Sequence, residues 1–433
     1  MHIVIIGNGI TGITCARNIR KSDPHAKISV ISAETDHFYS RTALMYIYMG
    51  HMKYEHTKPY EDGFWEKNRI KLIKGHVRFI GTEFKALSLD DDSMVHYSIL
   101  IIASGSKPNK FGWPGQDLIG VQGLYSIQDV ESMNLNTAKI NHAVVVGGGL
   151  IGIEMAEMLL SRNIKVTFLV REKAYWDNVL PAEEARLVSR HIQQHHINLL
   201  PDTELKEIIP DENGRVKSII TSKEEEIKCQ FVGLTAGVSP NIEFLKDSGI
   251  ETNRGILINE FFQTNVPNIY AAGDCAEFAE PKPEHPAIEQ LWYTGKMQAE
   301  TLAKIICGKK TAYERGVWFN SAKFLDIEYQ TYGTMLPLLK DDEESFYWEH
   351  SNGQLAFRAT YKKLNRELVG FNFLGMRFNH PLAEEWIRTG KTVDLAINNL
   401  SDGGFDAEFS RLHYRDIQNA FRKNTDLKSS VTY

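Results

Sequence analysis

The sequence predicts an α/β protein of two parallel-sheet modules, the second inserted in the first, with an α+β domain after them. Three observations carry that prediction. The stretch IVIIGNGITGITCARNIR, Ile3 to Arg20, is nearly copied as AVVVGGGLIGIEMAEMLL, Ala143 to Leu160. A closing phrase is repeated as well: SILIIASGSKPN from Ser98 and QFVGLTAGVSPN from Gln230. From about Gly316 the alternation of strands and helices gives way to β-rich runs broken by turn signals such as SNG and NRE.

The opening unit is a β-branched run, three glycines in the GxGxxG spacing and a helical pattern, the order of strand, tight turn and helix that binds a dinucleotide. Gly7 permits the sharp turn, Gly9 lets a pyrophosphate approach the backbone across Ile10 and Thr11, and Gly12 allows the helix to pack closely on the strand. Free N–H groups and the positive end of the helix macrodipole make such a turn an anion site. The next strand pattern, AKISVISAE, ends at Glu34, 22 residues beyond Gly12. A carboxylate about 20 residues on is placed to accept hydrogen bonds from a ribose. In the repeat, Gly147, Gly149 and Gly152 take the three glycine roles around Leu150 and Ile151. At its second strand, VTFLVREK, Arg171 is suited to a 2′-phosphate and Glu172 to a ribose diol, a slight lean to NADPH.

Nested insertion is the simplest layout because a further strand signal, TNVPNIYAAGDCAEF, follows the complete second module. The boundaries predicted are 1–112 and 241–315 for the first module, 113–240 for the second, and 316–433 for an α+β interface domain. The last stretch, RLHYRDIQNAFRKNTDLKSSVTY, is expected to hold one helix and a frayed polar tail.

Composition narrows the function. The 433 residues are 42% hydrophobic and 24% charged, as in ordinary globular proteins, and a net charge of −6 offers no basic field for nucleic acid. A first strand at His2 leaves no room for a signal peptide, and no apolar run approaches the roughly 18 residues of a membrane span, so a cytoplasmic address is expected. Cys15, Cys229, Cys275 and Cys307 show no CxxC and no metal-type spacing. His191 and His195 share a helical face, but no carboxylate or cysteine stands near them in the sequence, so no metal is expected.

The two glycine motifs, ASG at Ala103 to Gly105 and IYAAGD at Ile269 to Asp274 together resemble the two-dinucleotide-domain flavoproteins, the pyridine-nucleotide-dependent oxidoreductases. Within that family the chain is most similar to the rubredoxin, ferredoxin and nitrite reductase type. The resemblance implies FAD bound at Gly7, Gly9, Ile10, Thr11, Gly12, Glu34, Arg41, Ala103, Ser104, Gly105, Gly273 and Asp274, with Asp274 toward the ribityl chain. It implies NAD(P)H as co-substrate at Gly147, Gly149, Leu150, Ile151, Gly152, Arg171, Glu172 and Gly237. Glu154 matches a family glutamate near the nicotinamide, but Tyr46 stands where its lysine partner would be. Trp292 matches an aromatic that faces the isoalloxazine; helical spacing from Ile288 reads equally well as core.

Disulfide reductases of this fold carry a CxxxxC after the first ribose acid, and oxidases or peroxidases one reactive cysteine there. This chain reads SRTALMYIYMG in that region, without cysteine. The expected activity is therefore hydride transfer from NAD(P)H to flavin and onward electron delivery to a small carrier such as rubredoxin or ferredoxin. A membrane-surface quinone reductase and an NAD(P)H-sensing regulatory flavoprotein are the alternatives. The resemblance is also compatible with a homodimer.

Overall fold

The computed structural model describes residues 1–283, 285–404 and 413–430, and side chains through residue 424. The chain divides into two compact units, one of Met1–Phe111, Gln122–Lys139 and Leu234–Arg315, the other of Gly112–Val121, Ile140–Gly233 and Gly316–Tyr433.

In the first unit, His2–Ile6 is the middle strand of a five-stranded sheet. Lys27–Ser32 and Ile70–Lys74 lie to one side, Ile99–Ile102 and Ile269–Ala271 to the other, every pair parallel. Such sheets are covered on both faces, so their strands read as continuous apolar runs rather than alternations. HIVII and ILII are of that kind, and Ile3, Val4, Ile5, Leu100, Ile101 and Ile102 are all fully buried. The IYAAGD segment supplies the edge strand, which completes the first sheet after the inserted repeat as the nested layout requires.

The helix Ile10–Ser22 follows the first strand, and the helix Trp292–Ile306 packs against it. Small residues make that approach possible. A Cβ on Gly295 would stand 2.7 Å from the Thr11 hydroxyl, and one on Gly12 2.0 Å from the Gly7 carbonyl.

The second unit repeats the device. His142–Val146 runs into Gly147, turned at φ 113°, and then into the helix Leu150–Leu160; Lys165–Leu169 and Asn198–Leu200 continue the sheet in parallel. Phe231–Leu234 and the two-residue strand Val121–Gln122 complete it.

Residues from 316 onward form an antiparallel sheet in the order Phe319–Phe324, Ile327–Gly333, Leu368–Leu374, Ala356–Lys362, Glu343–Glu349. The SNG and NRE signals fall in the connections between its last three strands, and helices follow at His380–Arg388, Val393–Asn398 and Tyr414–Ser430, the α+β character expected. The last helix takes in most of the stretch expected to fray; residues 431–433 lie outside the described residues.

Period-two alternation sorts the two faces of this sheet. Phe357, Ala359, Tyr361, Phe371 and Phe373 meet Trp386, Ile397 and Ile417 in an apolar core. Arg358 and Asn372, paired across strands, point the other way and meet Glu184 on the helix Ala182–Gln194.

Candidate functional site

The turn after the first strand sets the geometry of the first unit. Gly7 has φ 107°, and a Cβ there would lie 2.0 Å from the Ala103 carbonyl. Gly9 caps the following helix without any side-chain hydrogen bond, and a Cβ on it would meet nothing within 4 Å. No acidic residue sits in that helix's first turn. The result is an uncapped positive helix end facing open space, which fits the pyrophosphate of a dinucleotide. Gly149 repeats the arrangement at the helix Leu150–Leu160: no side-chain cap, no acid in the first turn, and open space at the Cβ position.

Beside the first turn, the structure brings Glu34 and Arg41 together. The Arg41 Nη2 stands 2.5 Å from Glu34 Oε2, and its Nη1 donates to Glu34 Oε1 at 3.1 Å. Burial works against the Arg41 charge, but the Glu34 carboxylate outweighs it and holds the guanidinium above its ordinary value. Tyr39 donates to the same carboxylate, Ile127 N–H adds a bond at 3.2 Å, and the Tyr125 ring lies 4.4 Å from the Arg41 guanidinium.

The IYAAGD turn is tied in from two sides. Ser106 donates to Asp274 Oδ2 at 3.1 Å and accepts from Gln290 Nε2 at 2.9 Å, while the Ser106 N–H donates to the Tyr125 hydroxyl at 2.9 Å. Burial raises the Asp274 carboxyl above its ordinary value, with Ser106 and Arg41 pulling the other way. Behind the turn, Gly273 N–H donates to Gln298 Oε1 at 2.7 Å, and Gln298 is held by buried Glu289 at 3.0 Å. Ser104 donates to the Asn241 carbonyl at 2.7 Å, and Gly237, at φ 82°, accepts from Asn109 N–H at 3.1 Å. Trp292 opens its helix half-buried and lies against Phe38, ring centroids 6.2 Å apart. Ser106 stands one residue past ASG in the repeated phrase and Tyr39 two before Arg41, but neither carried a predicted role; Tyr125 and Gln298 reach the site from other parts of the chain.

In the second unit, Glu154 lies one turn into the helix after Gly149. Burial, with Glu157 nearby, raises its carboxyl to about 7. Tyr175, fully buried, donates to the Gly149 carbonyl at 3.1 Å and braces the turn. Arg171 and Glu172 pair with each other at 3.1 Å, Arg171 largely exposed. Tyr46 stacks on His51 at 6.2 Å in the first unit.

Glu154 therefore carries its proton below about pH 7 and a negative charge above it. The oxidised nicotinamide ring is cationic. If the ring lies beside Glu154, as the resemblance implies, its affinity rises as pH increases through about 7 and loses that rise in Glu154→Gln, which calorimetric titration with NAD+ between pH 6 and 8 checks; parallel pH profiles for both proteins would reject that placement.

All four cysteines are free, and Cys15 is fully buried with its thiol pushed up by burial. A thiol held neutral this way is a poor nucleophile. The fold brings the histidines a carboxylate that their sequence neighbourhood lacks: Asp326, 135 residues from His191 in sequence, lies against both His191 and His195. A tight hairpin between Phe319–Phe324 and Ile327–Gly333 puts it there, a contact no local spacing shows.

No helix among the described residues is long and apolar enough to cross a membrane. The chain is 29% identical over 330 residues to a nitrite reductase [NAD(P)H] of Bacillus subtilis (strain 168), a match covering 76% of this chain but only 40% of that protein. It is 27% identical to the rhodocoxin reductase of Rhodococcus erythropolis across 96% of both chains. A water-forming NADH oxidase from Lactobacillus brevis, bound to NADH, superposes with a TM-score of 0.83 over the whole of both chains at 17% identity, a likeness of fold alone. Residues 1–299 match the family model described as pyridine nucleotide-disulphide oxidoreductase, and with two glycine turns of the geometry given above the chain belongs to that family.

Proposed function

We propose that the chain is an FAD-dependent NAD(P)H oxidoreductase that passes electrons from flavin to a small carrier protein without using a redox-active disulfide. The observation that carries this reading is the pair of uncapped helix N-termini at Gly9 and Gly149, each open where a pyrophosphate would lie. Met1–Phe111, Gln122–Lys139 and Leu234–Arg315 hold FAD, and Ile140–Gly233 holds NAD(P)H. FAD supplies the isoalloxazine ring that accepts hydride from the coenzyme and releases electrons to the acceptor.

The protein's own contribution is binding and orientation. Glu34 accepts from the adenosine ribose, Arg41 offers its guanidinium to the phosphates, and Asp274, steadied by Ser106, takes the ribityl side. Glu154 bounds the nicotinamide pocket, and Trp292 borders the flavin. No protein nucleophile is required for hydride transfer, which depends on holding two rings in reacting distance. The free, buried Cys15 supports a route without thiol chemistry, and the four unpaired cysteines suit a reducing, cytoplasmic setting. The likeness to rhodocoxin reductase along nearly the whole chain supports a small redox protein as acceptor.

The purified protein is expected to be yellow and to bleach when NADH or NADPH is added without air, then to recolour on addition of oxidised rubredoxin or ferredoxin. Stopped-flow absorbance follows both halves. A flavin that stays oxidised under excess coenzyme would refute the reading. Cys15→Ala is expected to turn over at the wild-type rate, and a large loss would restore a thiol to the mechanism.

A further inference from the structure

The structure assigns a second, separate site: a divalent transition-metal site, best suited to Zn2+, formed by His191, His195 and Asp326 in the second unit. The candidate ligand atoms of the three residues all lie within 4.8 Å of one another. His191 and His195 stand one turn apart at the end of the helix Ala182–Gln194, and Asp326 sits in the two-residue turn joining Phe324 to Ile327.

The hydrogen bonding of His195 carries the argument. Its Nδ1 lies 3.1 Å from the His191 carbonyl oxygen, which can only accept, so Nδ1 bears the proton. A ring that carries only that proton has a bare lone pair at Nε2. It faces Asp326 Oδ1, another acceptor, at 3.3 Å. Two acceptors at that distance repel unless something positive lies between them. His191 points its Nε2 at the same oxygen from 2.5 Å, its ring fixed by burial. The neighbouring cation, Arg190, is turned away to Glu349 at 2.5 Å.

Two imidazoles and one carboxylate are the donor set of Zn2+ rather than of Mg2+ or Ca2+, which prefer oxygen. Zn–N and Zn–O bonds of about 2.0–2.2 Å in a tetrahedron separate ligand atoms by about 3.4 Å. The His195 to Asp326 distance already matches. The His191 to Asp326 distance opens by about 1 Å through rotation of the exposed Asp326 side chain, and water completes the fourth position. The Nδ1–H of His195 has the outer acceptor that a metal-bound imidazole normally has; His191 Nδ1 is buried without a partner. That missing contact, worth about 10–100-fold in affinity, sets the expected dissociation constant in the micromolar range. A bound ion ties the helix to the strand turn of the C-terminal sheet.

The test uses full-length holoprotein without a polyhistidine tag, stripped with EDTA and dialysed. Zn2+ is titrated against a chromophoric chelator near neutral pH. The wild type is expected to take up one Zn2+ per chain and to melt about 5 °C higher when saturated. His195→Ala and Asp326→Asn, both at solvent-accessible positions, are each expected to weaken binding by about tenfold or more and to lose the melting shift. Co2+ in place of Zn2+ should give the visible absorption of a four-coordinate ion in the wild type and not in the double variant. No uptake at about 100 µM Zn2+ would mean that a proton on His195 fills the gap and would overturn the assignment. Retention of the same equivalent by the double variant would overturn it too. Neither outcome bears on flavin binding, which the absorbance of the same samples reports separately.

Discussion

Gly9→Val is expected to purify folded and colourless. The backbone at Gly9 is extended, φ −72° and ψ −175°, a conformation valine adopts readily, and a Cβ there meets no protein atom within 4 Å. The empty protein therefore loses almost nothing. What the new side chain fills is the space over the helix end where a pyrophosphate has to touch backbone N–H groups. The flavin-to-protein absorbance ratio should fall to near zero while far-ultraviolet circular dichroism matches that of wild-type protein stripped of flavin. Gly12→Ala makes the contrast. Its Cβ would stand 2.0 Å from the Gly7 carbonyl and 3.2 Å from an Ile5 methyl, so the loss there is of folding itself. A Gly9→Val protein that still holds one FAD per chain would show that the cofactor does not cross this turn.

The second large effect concerns stability. Arg358 donates to Glu184 Oε1 at 2.8 Å, to Glu183 Oε2 at 2.7 Å and to the Ser345 hydroxyl at 2.8 Å, and its guanidinium lies over the Tyr347 ring at 4.7 Å. Glu184 has no exposed surface. Removing one partner of a buried pair costs more than the pair itself contributes, because the survivor keeps its charge without solvent or counter-ion. Arg358→Ala should therefore destabilise the second unit by about 3–5 kcal/mol. That corresponds to a melting temperature lower by roughly 6–20 °C. Arg358→Met with Glu184→Leu, which removes both charges and keeps the volume, should recover most of the loss. Scanning calorimetry of the three proteins decides the matter: a single variant that melts within a degree or so of wild type would mean the pair is not desolvated as its burial implies.

Much of the architecture was legible because parallel sheets write themselves plainly. HIVII, ILII and HAVVV are apolar without alternation, and the glycines after the first and last of these mark where the chain turns into a helix. The alternating strands after Gly316 were equally readable, since their turns carry SNG and NRE. The glycine turns and the Glu34 position belong to one local run of sequence, and local runs have fixed geometry. Tyr125, Gln298 and Asp326 do not. Tyr125 reaches Arg41 from 84 positions away, and Gln298 reaches Gly273 from 25. Such residues become partners only after distant elements pack, and a tyrosine in a loop or a glutamine on a helix carries no mark of what it will face. Asp326 shows the cost most clearly. Two histidines one turn apart were visible, but their carboxylate partner comes from a hairpin that the helix meets only in the folded unit.

The edge strand Ile269–Ala271 has a consequence for synthesis on the ribosome. Its parallel neighbour, Ile99–Ile102, is translated about 170 residues earlier. At about 5–20 residues per second, roughly ten to thirty seconds pass between the two. Throughout that interval the nascent first sheet presents one unpaired, fully apolar border, while the inserted repeat receives its last strand, Phe231–Leu234, before Ile269 is made and is then free to collapse. The later-starting module is thus the one that finishes first, and a growing chain stalled before residue 269 would display a sticky β-edge that chaperones of the nascent-chain type have reason to cover.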